Sequence, residues 1–200
     1  MTRKFVFSFL FLLFATPLII AWYGVSHGRG PGMQVNRGYL FRPALALGEM
    51  PWKNIDGTPF LWKNTGQRWA MVYVVPRQCD AACHETLYKL HQVQIALNQD
   101  QDRFVRILVF LSPPHVGEMQ KIHQDANTTG MIWLTLSQAA WSMQLEAYPY
   151  KSQVIREGGV FVLDPAQWAV LAYPATLNPQ DLLKDLQRLM RAFHLGQSKA

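Results

Sequence analysis

From Phe5 to Tyr23 the chain carries no charged side chain, and only Ser8 and Thr16 break the run with hydroxyls. At about 1.5 Å per residue, a helix over this stretch crosses a hydrocarbon core of about 30 Å. Arg3 and Lys4 stand just before it and the first acidic residue is Glu49. The positive-inside tendency therefore keeps the amino terminus cytoplasmic and sends the rest across. A cleaved signal peptide shares the charged start and apolar middle. Yet Ala21-Trp22-Tyr23-Gly24-Val25-Ser26 shows no clear small-x-small cleavage site, and Trp22 with Tyr23 suits an interfacial aromatic anchor. Pro17 can kink such a helix without stopping it from spanning. The expected organisation is a cytoplasmic start over 1–4, a transmembrane anchor over 5–25, a flexible stalk over 26–43 and a folded domain over 44–196. In a bacterium this is a single-pass inner-membrane protein with its carboxy-terminal domain in the periplasm.

Beyond the anchor the chain is sized for one domain. Its 200 residues leave no room for two sizeable ones, and 50% hydrophobic with 16% charged residues is too apolar for disorder. The formal charge of +6 comes from scattered Lys and Arg with no run of four and no stripe, which argues against a nucleic-acid partner. His27-Gly28-Arg29-Gly30-Pro31-Gly32 lacks hydrophobic periodicity and reads as stalk, and apolar residues return from Tyr39 to about Ala46.

The segment from Trp69 to Val75 is a continuous apolar run between Arg68 and Pro76, the pattern of a central strand covered on both faces. Cys79-Asp80-Ala81-Ala82-Cys83 follows directly, then a helical pattern carrying Leu87, Leu90, Gln94 and Leu97. Phe104 to Leu111 is a second buried strand, ended by Ser112-Pro113-Pro114. Val116, Met119 and Ile122, three apart, predict a helix over 115–125. Ile132 to Leu136 reads as a short strand, and Ser137 caps a helix to about Ala147. Glu157-Gly158-Gly159 turns into a strand over 160–163, whose hairpin partner is 168–173 across Asp164-Pro165-Ala166-Gln167. Asn178-Pro179 opens an amphipathic helix with Leu182, Leu183, Leu186, Leu189 and Met190. Strand-helix-strand with two buried strands requires a right-handed parallel crossover. The expected fold is α/β, a thioredoxin-like mixed sheet flanked by helices and preceded by one N-terminal transmembrane helix.

Only two cysteines occur, Cys79 and Cys83. A bridge enclosing three residues removes little unfolded-state entropy, so a structural staple is a poor use of the pair. Cys79 falls between the end of a buried strand and the start of a helix, where free N–H groups and the helix dipole favour a thiolate. Arg77 adds to that effect and Asp80 opposes it. Cys83 sits about one turn on, within reach of Cys79. The pair reads as a redox couple, with Cys79 the attacking thiol and Cys83 the resolving one. Ligation of a soft ion such as Cu(I), or two inert buried thiols, are the alternatives.

An anchor, a strand, Cys79-x-x-x-Cys83, a helix and a thioredoxin-like remainder resemble the Sco/SenC proteins, over roughly residues 44–195. Asn36-Arg37-Gly38-Tyr39-Leu40 with Pro43 and Arg68-Trp69 is similar to small bacterial membrane proteins described as cytochrome-oxidase-associated or Sco-like. The resemblance implies work in cytochrome c oxidase assembly, with oxidase subunits or copper chaperones as partners and copper as an associated metal. Sco proteins complete their copper site with a histidine before the penultimate strand, and residues 148–157 contain none. Thioredoxins place a cis-proline beside their cysteines, and no proline stands directly before Val160.

Among the remaining histidines, His84 is expected to project about 100° away from the Cys83 face, and His91 lies two turns further along. His115 follows the second buried strand and is the candidate third metal ligand with Cys79 and Cys83. His123 and His194 read as helix surface. Met131 and Met143 read as core, and Trp52, Trp62, Trp69, Trp133, Trp141 and Trp168 as packing residues. No phosphate loop, paired-histidine helix or serine nucleophile elbow is present.

Overall fold

The computed structural model describes residues 3–26, 36–75, 78–146 and 158–197, in two compact units, Met1–Asn36 and Arg37–Ala200. In the first unit Arg3–Ser26 is one helix of 24 residues, α1, about 36 Å long at its rise per residue. The Thr16 hydroxyl, beside Pro17, donates to the Leu12 carbonyl at 2.6 Å. Phe9, Phe11, Leu12, Phe14, Leu18 and Trp22 are all exposed on it, so the helix is apolar all round rather than amphipathic. Among the described residues no helix is long and apolar enough to cross a membrane.

The second unit is built on one seven-stranded sheet. Its strands are β1 (Tyr39–Ala46), β2 (Lys53–Asn54), β3 (Trp69–Val75), β4 (Phe104–Phe110), β5 (Ile132–Thr135), β6 (Gly159–Leu163) and β7 (Trp168–Tyr173), in the spatial order β1-β7-β6-β3-β4-β5-β2. The pairs β3/β4 and β4/β5 are parallel and the others antiparallel. Alternation along the central strands divides two cores. Ala70, Val72 and Val74 of β3 join Ile107, Val109 and Trp141 on one face. Met71, Tyr73 and Val75 join Leu108 and Phe110 on the other, as a pleat with period two requires.

The helices are α2 (Ala81–Ala96), α3 (Val116–Gln124), α4 (Gln138–Glu146) and α5 (Pro179–Gln197). Leu87, Leu90 and Val93 of α2, Ile122 of α3, and Leu182, Leu186 and Met190 of α5 all bury into the second core, whereas Trp141 of α4 enters the first. Both faces are covered, so the thioredoxin-like mixed sheet flanked by helices is what the chain forms.

Two edge strands depart from the sequence reading. Residues 39–43, expected as the end of the stalk, belong to β1, with Phe41 and Leu45 turned into the core. The β1/β7 register shifts between Leu40 and Leu45, around Pro43. Proline has no N–H to give, and an edge strand tolerates that where a central one does not. The two-residue β2 is too short to carry a periodicity, and it pairs with β5.

The motif around Arg37 has a structural explanation. Asp185 of α5 is fully buried, and its Oδ2 accepts from the backbone N–H of Arg37 at 2.7 Å and of Gly38 at 3.0 Å, and from the Tyr173 hydroxyl at 2.6 Å. Arg188 approaches the other oxygen at 3.3 Å. The Arg37 guanidinium reaches Asp181 at 2.7 Å. A Cβ on Gly38 would lie 2.3 Å from Tyr173 Cζ, so only glycine fits there. Burial, then the adjoining Asp185, push the Tyr173 hydroxyl far above its ordinary value.

Candidate functional site

At the end of β3 the chain passes into α2 through a side-chain cap. Asp80 is extended (φ −87°, ψ −170°) and its Oδ1 accepts from the Cys83 N–H at 3.0 Å, satisfying one of the free donors of the first turn. The aspartate expected to oppose a thiolate is therefore the helix cap. Cys79 precedes the cap and Cys83 lies inside the first turn, with their Cα atoms 5.0 Å apart and their sulfurs joined in a disulfide. Cys83 is buried at 2% exposure and Cys79 is half-buried. An attacking sulfur can thus reach Cys79 but not Cys83.

The bridge is supported from three elements. The Thr86 hydroxyl of α2 lies 2.9 Å from the Ala82 carbonyl and 2.8 Å from that of Ala175, fixing the first turn against the segment after β7. Tyr73 of β3 belongs to the same core as Cys83. Burial pushes its hydroxyl above the ordinary value, with Thr86 partly offsetting this and the Asp80 charge adding to it. From α3, Glu118 Oε1 accepts the Cys79 N–H.

Above Cys79 lies a cleft of about 220 Å³ lined by Gln78, Cys79, His84, His115, Glu118 and Lys121. A second of about 510 Å³ shares Gln78, His115 and Glu118 and extends over Asp80, Pro113 and Pro114. His115 is exposed and lines both. Parallel pairing of β3 with β4 brings the ends of both strands to one edge of the sheet, which is why the loop carrying His115 meets the cysteines.

Other candidates fall elsewhere. His84, expected to point away, lines the cleft and pairs through Nδ1 with Asp125 Oδ2 at 3.0 Å. The offset of about 100° holds relative to Cys83, whereas Cys79 precedes the helix and is not bound by helical spacing. His91 is half-buried on α2, its imidazolium disfavoured by burial and then by Arg106. His123 is exposed and lies tilted against the Trp133 ring, with centroids 4.3 Å apart. Met131 packs against the core, but Met143, expected there too, is 70% exposed on the outer side of α4. Arg77, the side chain of His194 and residues 148–157 lie outside the described residues. Sequence reasoning missed Glu118 and Asp125 altogether. Neither belongs to a local motif: Glu118 reaches from α3 to the Cys79 N–H, and Asp125 meets His84 where the turn over Ala126–Thr128 lies against α2.

Among the described residues no three His, Cys, Asp or Glu side chains are arranged to hold a metal ion. The two sulfurs are also bonded to each other, and copper ligation needs free thiolates. The trio Cys79, Cys83 and His115 considered as a copper site therefore does not fit as arranged.

A half-exposed cysteine bonded to a buried one, between a central strand and a capped helix, defines a thioredoxin-like protein with a disulfide at the edge of the sheet where β3 and β4 end. The chain belongs to the family described as transmembrane-like, thioredoxin-like, C-terminal domain, which matches residues 69–192. No curated protein matches it. The structure is similar to yeast Sco1 with copper bound, at 14% identity and a TM-score of 0.54, covering 73% of this chain and 93% of that one. It is likewise similar to BsSco, described with a disulfide switch and as a member of the Sco family of cytochrome c oxidase assembly proteins. There the identity is 14% and the TM-score 0.53, over 78% of this chain and 97% of that one. Yeast mitochondrial 1-Cys peroxiredoxin matches at 15% identity and a TM-score of 0.51, with 74% of each chain covered. At such identities the likeness establishes the fold.

Proposed function

We propose that this chain is a membrane-anchored thiol–disulfide protein that assists cytochrome c oxidase assembly from the periplasmic side of a bacterial inner membrane. The observation that carries the reading is the Cys79–Cys83 disulfide, with one sulfur reachable from a polar cleft and the other sealed in the core. That asymmetry supports a division of roles. Reduced Cys79 attacks a partner disulfide, and Cys83 resolves the mixed disulfide from within the protein. The partner class is an oxidase subunit or a copper chaperone whose own cysteines must be reduced before metal loading. Copper is then the partner's cargo. The likeness to yeast Sco1 and to BsSco supports the assembly role, and the uncharged run from Phe5 to Tyr23 behind Arg3 and Lys4 supports the anchor and its orientation.

The test is a cell lacking the protein, complemented with the native chain, Cys79→Ser or Cys83→Ser. The reading expects assembled oxidase with the native chain only. Full assembly with both serine variants would overturn it and leave a docking factor with no thiol chemistry.

A further inference from the structure

We infer that His84, held by Asp125, is the proton relay for exchange at Cys79. The inference rests on the thiol–disulfide reading above and adds a catalytic residue to it. His84 occupies the fourth position of α2 and lines the same cleft as the reactive sulfur. Its Nδ1 is 3.0 Å from Asp125 Oδ2. Asp125 is itself clamped, its Oδ1 accepting from the backbone N–H of Asn127 at 2.9 Å and from the Asn127 side chain at 2.7 Å. Burial disfavours the Asp125 carboxylate, but the bonds from His84 and Asn127 outweigh it and hold the group ionised. An ionised carboxylate only accepts, so Nδ1 donates to it and Nε2 is the ring nitrogen left to exchange a proton. A nucleophile, a base and a third group that orients the base form the arrangement that activates cysteine. His115 lines the cleft too, yet its ring has no hydrogen-bond partner among the described residues to orient it. Glu118 is engaged by the Cys79 N–H.

The step balances as follows. His84 Nε2 takes the proton of the Cys79 thiol, and the thiolate attacks one sulfur of the partner disulfide. The other partner sulfur leaves with the electron pair and receives that proton from His84. The Cys83 thiol then attacks Cys79 Sγ, restoring the disulfide seen here, and the first partner sulfur leaves and takes the Cys83 proton. The partner gains two electrons and two protons, and this chain loses both. A dithiol donor re-reduces the pair.

The experiment uses the full chain, reduced and desalted, mixed with a synthetic peptide closed by an intramolecular disulfide. Peptide reduction is followed for the native chain, His84→Ala, Asp125→Asn and Cys79→Ser. The expected result is a loss of about 100-fold in His84→Ala, recovered when imidazole is added to the buffer, with a smaller loss in Asp125→Asn. A folding defect would not respond to imidazole. Native-like rates in His84→Ala, or a loss that imidazole leaves unchanged, would overturn the relay while leaving the thiol reading intact. A native chain no faster than Cys79→Ser would overturn both.

Discussion

Replacing Asp185 with alanine tests how the domain holds its amino-terminal end. The carboxylate is fully buried and accepts three hydrogen bonds on one oxygen, from Arg37, Gly38 and Tyr173, with Arg188 against the other. Hydrogen bonds to a charged group are worth roughly 1.5–3 kcal/mol each, and an orphaned buried donor costs about 1–3 kcal/mol. The two N–H groups are only part-buried and regain water when residues 36–38 lift away. The Tyr173 hydroxyl has no such escape. The expected loss for Asp185→Ala is about 3–5 kcal/mol, a large share of an ordinary domain's stability of about 5–15 kcal/mol. At a urea dependence of about 2 kcal/mol per molar, the unfolding midpoint falls by about 2 M with its slope unchanged. Tyr173→Phe alone costs about 1–2 kcal/mol. In the Asp185→Ala background it costs nothing, because it removes the orphaned hydroxyl, so the pair is non-additive. Urea unfolding followed by tryptophan fluorescence measures all four corners of this cycle. A loss below about 1 kcal/mol for Asp185→Ala, or strict additivity with Tyr173→Phe, refutes the reasoning.

Other perturbations have equally definite outcomes. Gly38→Ala places a Cβ 2.3 Å from the Tyr173 ring and should cost about 1–3 kcal/mol by urea unfolding. Arg106 is buried on β4, where its guanidinium donates to Gln94 Oε1 at 2.6 Å, to the Thr129 carbonyl at 2.7 Å and to the Asn127 carbonyl. Arg106→Met should cost about 2–4 kcal/mol and free the turn that holds Asp125, seen as faster hydrogen exchange over 126–130. Acid should act in two stages. His91 and Asp125 are both held below their ordinary values of 6.5 and 3.8, so the unfolded chain takes up protons first and stability falls with pH. The decline begins below about pH 6.5 through His91 and deepens below about pH 4 through Asp125. His91→Gln flattens the first limb and Asp125→Asn the second. Glu118→Gln removes a negative charge beside Cys79 and should speed alkylation of the reduced thiol several-fold.

The central sheet was legible because β3 and β4 are apolar without interruption, and α5 because its leucines recur at helical spacing behind Asn178-Pro179. The cysteines were legible as a pair because the strand ends just before them and the helix begins between them. The edges were not. Pro43 breaks the pattern of β1, and β2 owes its existence to a partner strand rather than to its own two residues. The same division runs through the site. Cys79, Cys83 and His115 sit at element ends that periodicity can locate. Glu118, Asp125 and the true direction of His84 depend on how α3 and the turn after it meet Cys79 and α2, a fact of packing that no local spacing encodes. The leucine spacing of α5 says nothing about Asp185. Its role emerges only where residues 37 and 38, nearly 150 positions earlier, close over it.

The most direct test is a redox titration of the full chain in defined dithiol buffers, with the thiols counted at each potential. A disulfide that is half-exposed, closes a short loop and exchanges with partners titrates reversibly between two thiols and none, with a midpoint above about −300 mV. A pair that stays oxidised below that potential, or whose thiol count never changes, is a fixed structural bond, and the exchange chemistry assigned to Cys79 and Cys83 would be wrong.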